Sequence, residues 1–80
     1  MKIQILLFGI TTDLLGTSSL EVEVPSNATI SILKVHLLAN HPLLENINSY
    51  AIAVNEEYAS DDFLLKENDV IAIIPPVSGG

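Results

Sequence analysis

"VIAIIPP", residues 70–76, decides how the rest of the chain is read. Five consecutive aliphatic residues leave no polar face. A strand of this kind is flanked on both sides and sits inside a sheet, not at its edge. The two prolines that follow cannot donate to a strand ladder, so they end the strand and hold the chain extended. "KIQILLF", residues 2–8, is a second short run rich in Ile and Leu. Two such strands at opposite ends of the chain are expected side by side at the centre of one sheet, with everything else arranged around them.

The segments between them fit that frame. "GITTDLLGTSS" (9–19) contains Gly9, Gly16 and a run of Thr and Ser, and it predicts a turn or loop. "LEVEV" (20–24) alternates, with Leu20, Val22 and Val24 facing one way and Glu21 and Glu23 the other, as in a half-buried strand. Pro25 ends it. In "SNATISILKVHLLANHP" (26–42), Asn27 or Thr29 can cap a helix, and Ile30, Leu33, Leu37 and Leu38 follow near helical spacing. Asn40, just before His41-Pro42, is the expected stop. "LLENINS" (43–49) is a connector, and "YAIAVNEEYA" (50–59) predicts a strand, a turn near Asn55-Glu56 and a short return strand through Tyr58. "SDDFLLKEND" (60–69) is a polar loop with two apolar anchors, Phe63 and Leu65. The sum is an α+β fold, a mixed sheet of about four or five strands with one main helix packed on one face. With the terminal strands adjacent, this is the β-grasp of ubiquitin. Residues 1–76 form that domain and 77–80 a flexible Gly-Gly tail.

Composition narrows function. An 80-residue chain is one small domain that needs a dense core, and 49% of its residues are hydrophobic. Without cysteine it has no disulfide, no thiolate zinc site and no thiol nucleophile. Its net charge is −7, with Lys2, Lys34 and Lys66 as the only Lys or Arg. Nucleic-acid and anionic-membrane binding are therefore disfavoured, and a basic partner surface is favoured. "MKIQILLFGI" is interrupted by Gln4 and followed by Asp13 with no small-residue cleavage pattern, so it is expected to be a buried strand and not a leader. No stretch approaches the ~18 apolar residues of a membrane span. A cytoplasmic location is expected.

No self-contained active site emerges. His36 and His41 are five apart, unlike the i, i+4 pair of a helical chelate, and no metal site is expected. Glu56-Glu57 and Asp61-Asp62 are adjacent carboxylates that a strand would turn to opposite faces, and they read as solvated turns. The serines and glycines match no nucleophile elbow or phosphate loop. That leaves the tail. Pro75 and Pro76 aim the chain away from the sheet, and the four residues beyond them reach roughly 13–14 Å when extended. Val77 and Ser78 are spacers that a cleft can grip. Gly79 and Gly80 fit a narrow channel because they lack Cβ atoms. The Gly80 carboxylate is the one reactive group presented.

The terminal "PPVSGG", together with "LLF" (6–8), "LLG" (14–16), "P…AT" (25–29), "AVN" (53–55) and "LKENDVIAII" (65–74), resembles the small, sulfur-carrying subunit of molybdopterin synthase, a family of ubiquitin-like sulfur carriers. The resemblance covers essentially the whole chain. It implies that an adenylyltransferase resembling ubiquitin-activating enzymes uses ATP to adenylate Gly80 and that sulfide then displaces AMP to leave a thiocarboxylate. The tail, Pro75 to Gly80, then enters the large subunit of a heterotetramer and donates sulfur to cyclic pyranopterin monophosphate. The chain would be no enzyme alone and would hold no permanent cofactor. By the same resemblance Phe8, Tyr58 and Ile74 form the apolar partner interface. A carrier for thiamine synthesis or tRNA thiolation, a ubiquitin-like protein modifier and a plain binding module are the rival readings. Two positions depart from the family pattern. Thr12-Asp13-Leu14 stands where relatives often have Arg-Glu-Leu, and Asn68-Asp69 where they usually have Gly-Asp. Because Asn tolerates a left-handed backbone, Asn68 is expected to have positive φ.

Overall fold

The computed structural model describes residues 1–76; residues 77–80, on which the expected tail falls, lie outside the described residues. The strands are β1 (Lys2–Leu7), β2 (Ser19–Glu23), β3 (Ala51–Val54), β4 (Glu57–Tyr58) and β5 (Val70–Ile74), and the helices α1 (Ile10–Leu15) and α2 (Ile30–Asn40). They form one sheet in the order β2-β1-β5-β3-β4. The apolar terminal strands are neighbours, and they are parallel, with Ile5 beside Ile71 and Leu7 beside Ile73. β5 is central, between β1 and the antiparallel β3. This is the β-grasp arrangement that "VIAII" and "KIQILL" require.

The sheet buries one face under α2. Ile3, Ile5, Leu7, Ile52, Val54, Ile71 and Ile73 supply the sheet side of the core, and Ile30, Leu33 and Leu37 the helix side. Thr29 caps α2, accepting from the Ile32 N–H at 3.3 Å, a hydrogen bond that satisfies one of the orphan donors of the first turn. The helix ends at Asn40, with the His41 N–H donating to Leu37 O. Leu38, one turn beyond Lys34 on the flank of α2, is 37% exposed, whereas Lys34 is buried. Its aliphatic stem is covered while its ammonium reaches Asp61 at 2.7 Å.

Two expectations need correction. "GITTDLLGTSS" is not all loop, because Ile10–Leu15 form a helix, closed by Gly16 in the left-handed conformation with its N–H on Thr12 O. Six residues carry too little periodicity to show. What holds them is backbone bonding by Thr11 and Thr12 and packing of Leu15 against the core. Phe63 is not a buried anchor; it is 42% exposed, whereas Leu65 is buried as expected. The loop is fixed instead through its backbone, with Ile30 N–H bonded to Phe63 O and Ser31 N–H to Asp61 O.

Candidate functional site

Among the described residues, no helix lies over the face of the sheet away from α2. Strand alternation puts Gln4 and Leu6 of β1, Val70, Ala72 and Ile74 of β5, and Ala51 and Ala53 of β3 on that side. The register aligns Leu6 with Ala72, Ala72 with Ala53, and Ala53 with Tyr58. Ile74, opposite Ala51, ends the central strand. The "apolar on both faces" reading of β5 is thus resolved. Ile71 and Ile73 are buried, while Val70, Ala72 and Ile74 are half-buried on a surface that, among the described residues, no helix covers. Tyr58 is 78% exposed and Phe8 48%. Phe8 and Leu6 line a shallow pocket of about 470 Å³ with Val70, Ala72, Asn55 and Glu56. The three residues expected at a partner interface therefore border one face, although they are separated by up to 66 positions in sequence (74 − 8).

Local structure fixes the rims of this face. At one end Phe8 leaves β1 and turns. The Thr11 hydroxyl donates to Phe8 O at 2.6 Å and accepts from the Phe8 N–H at 3.1 Å. The Thr12 hydroxyl donates to Leu7 O at 3.1 Å. Thr12 thus has a backbone role where the resemblance leads one to expect arginine. Gly9, at φ 57° and ψ −133°, occupies a conformation open essentially to glycine. A Cβ there would also come within 3.3 Å of the Pro75 ring. Pro75 is half-buried against this corner and Pro76 is exposed, so the chain leaves the sheet beside Phe8. Val77, Ser78, Gly79 and Gly80 lie outside the described residues.

At the other end the β3–β4 turn is tied to β5. The Asn55 side chain donates to Asp69 Oδ1 and accepts from the Val70 N–H, both at 3.0 Å, and the Asn55 N–H reaches Val70 O. Buried Asp69 also accepts from the Lys66 N–H. Asn68 has φ 69°, as expected, and its N–H bonds Lys2 O. These anchors, with Gly9 and Thr11, were not singled out from sequence as site residues. The "AVN" run and the Asn68-Asp69 pair carried the signal for one rim; the Gly9–Pro75 contact has no local signal, because the partners are 66 residues apart.

The remaining titratable residues do not converge. Among the described residues, no three His, Asp or Glu side chains come together to hold a metal ion. Asp62 is held below the ordinary carboxylate range by the Ser60 hydroxyl and by a backbone N–H, and it sits in the loop bonded to the start of α2, not on the open face. Among the described residues no helix is long and apolar enough to cross a membrane.

The family model described as the ThiS family matches residues 5–80. The chain belongs to the ThiS family. Its similarity to a molybdopterin synthase sulfur carrier subunit of Arabidopsis thaliana is 37% identity over 81 residues, covering 100% of this chain and 84% of the relative. SAMP1, small archaeal modifier protein 1, from Haloferax volcanii has the same fold, with a TM-score of 0.90 at 26% identity and 100% of both chains covered. A chain in a complex of subunits 1 and 2 of molybdopterin-converting factor from Helicobacter pylori matches at TM-score 0.72 and 26% identity, with 100% of both chains covered. The β-grasp read from the ThiS-family sequence is thus the fold that its structural relatives share.

Proposed function

We propose that this chain is the sulfur-carrier subunit of a molybdopterin synthase. The observation that carries the reading is full-length similarity to subunits of that name, joined to an open apolar face bordering the strand that leads into "PPVSGG". A carboxylate is a poor acyl donor, so the Gly80 oxygen first attacks the α-phosphorus of ATP on an adenylyltransferase, releasing pyrophosphate. A sulfide donor then attacks the acyl carbon and AMP leaves with the oxygen, giving the thiocarboxylate. Transfer of that sulfur to cyclic pyranopterin monophosphate takes place in the large subunit, where the catalytic side chains reside, and water restores the carboxylate. Phe8, Tyr58 and Ile74 dock on the large subunit, Pro75 and Pro76 direct the exit, and Val77 to Gly80 enter the cleft. The chain holds no resident cofactor, ATP belongs to the activating enzyme, and the cytoplasm is the expected compartment.

Incubation with an activating enzyme, ATP and a sulfur source should add the mass of one oxygen-for-sulfur exchange to the C-terminal peptide. An unmodified Gly80, under conditions that convert a control carrier, overturns the reading. Sulfur transfer to the pterin precursor on adding the large subunit separates this pathway from thiamine or tRNA carriers. The likeness to SAMP1 supports a second reading, a protein modifier. Gly80-dependent conjugates of high mass in cells would favour it.

A further inference from the structure

Six described residues have backbone φ in the left-handed region: Gly9, Gly16, Asn27, Asn55, Glu56 and Asn68. Five are glycine or asparagine, the types that enter this region most easily. Glu56, at φ 74°, is the exception. It is the second central residue of the β3–β4 hairpin, because Val54 pairs with Glu57 and only Asn55 and Glu56 lie between them. Positive φ at both positions of a two-residue loop is the requirement of a type I′ turn, whose preferred sequence is Asn-Gly. Asn55 meets that preference and Glu56 does not. No interaction within the domain compensates, since the Glu56 carboxylate makes no hydrogen bond or ion pair among the described residues. Strain of this kind tends to collect where a site needs the side chain.

The position of Glu56 indicates what it is for. It stands on the lip of the pocket lined by Leu6, Phe8, Val70 and Ala72. The turn carrying it is fastened by three Asn55 hydrogen bonds, two to Val70 of β5 and one to Asp69 just before it, so the carboxylate is presented from a fixed backbone. Lys2, which strand alternation places on this face, already lies 3.8 Å from Glu21. We infer that Glu56 is a specificity-determining residue of the docking face: it receives a Lys or Arg side chain of the partner whose apolar side chain enters the adjacent pocket. This rests on the docking role assigned above and adds the partner's chemistry, an apolar projection with a cation at its base.

The experiment uses the full chain and purified molybdopterin synthase large subunit. Affinity is measured by calorimetry at about 50 mM and about 500 mM salt, with melting temperature measured in parallel. E56Q should weaken binding roughly fivefold at low salt, and high salt should erase most of the difference. E56G should weaken binding equally yet melt about 4 °C higher, because it relieves the turn. F8A serves as the control for the face. If F8A weakens binding and E56Q does not, the role of Glu56 is overturned and the docking face stands. If F8A has no effect, the docking face fails and the inference with it. If E56G melts no higher than the parent, Glu56 is not held at a cost to stability, and the argument from strain falls.

Discussion

Single residues set the geometry of this domain where the chain changes direction. The Thr11 hydroxyl, in a residue with no solvent exposure, bonds both backbone groups of Phe8. Thr11→Val keeps the shape and deprives the Phe8 N–H of its acceptor, a loss of about 1–2 kcal/mol. Thr11→Ser removes a methyl group at about 0.8 kcal/mol but keeps the hydroxyl. Hydrogen exchange separates them, since Phe8 amide exchange should accelerate in the valine variant and stay slow in the serine variant. Asn68 is the parallel case in the last turn. Asn68→Gly should leave denaturant stability nearly unchanged, whereas Asn68→Ala should lower it by about 1 kcal/mol, because alanine resists positive φ. The turn at Asn68 was legible in the sequence, because asparagine before a strand has a local cause. The Thr11 clamp was not, since threonine in a Gly- and Thr-rich stretch fits a loop as well as a short helix.

At the scale of elements, alternation and length marked the strands well, and α2 only in part. Ile30, Leu33, Leu37 and Leu38 were the residues expected at helical spacing, yet Lys34 is also covered, with its side chain 10% exposed and its partner Asp61 65% exposed. A spacing rule cannot foresee that a lysine stem will pack inward, because the partner carboxylate lies 27 positions away. The asymmetry gives a prediction. Asp61→Asn leaves a covered ammonium without its counter-charge and should lower stability by about 1 kcal/mol, the solvent on the Asp61 side limiting the loss. Lys34→Met replaces the stem with an apolar one and should be close to neutral. Urea unfolding of the two variants measures both. Equal losses would mean that the pair, and not the covered charge, sets the energetics.

Among the described residues, two apolar surfaces can be set against each other, and the sheet face is the one that adjoins Pro75. The open sheet face carries Val70, Ala72 and Ile74, while the outer side of α2 exposes Ile32 and Val35. Ala72→Asp should preserve the fold, since its side chain points away from the core, and should abolish binding of the large subunit. Val35→Glu, at a position 66% exposed, should change stability by less than about 0.5 kcal/mol and leave binding intact. Binding lost in the second variant and kept in the first would transfer docking to the helix. The sheet order has one more consequence, which concerns synthesis. Of the described elements, the one made last fills the middle, so until Val70–Ile74 leave the ribosome β1 and β3 have nothing between them. A nascent chain holds a hairpin and a helix with two open edges, and the sheet closes only after translation has passed the strand that precedes the tail. A product that stops short of Val70–Ile74 lacks the strand that joins β1 to β3; on the function proposed above, Gly80 would reach an activating enzyme only after the centre of the sheet has been made.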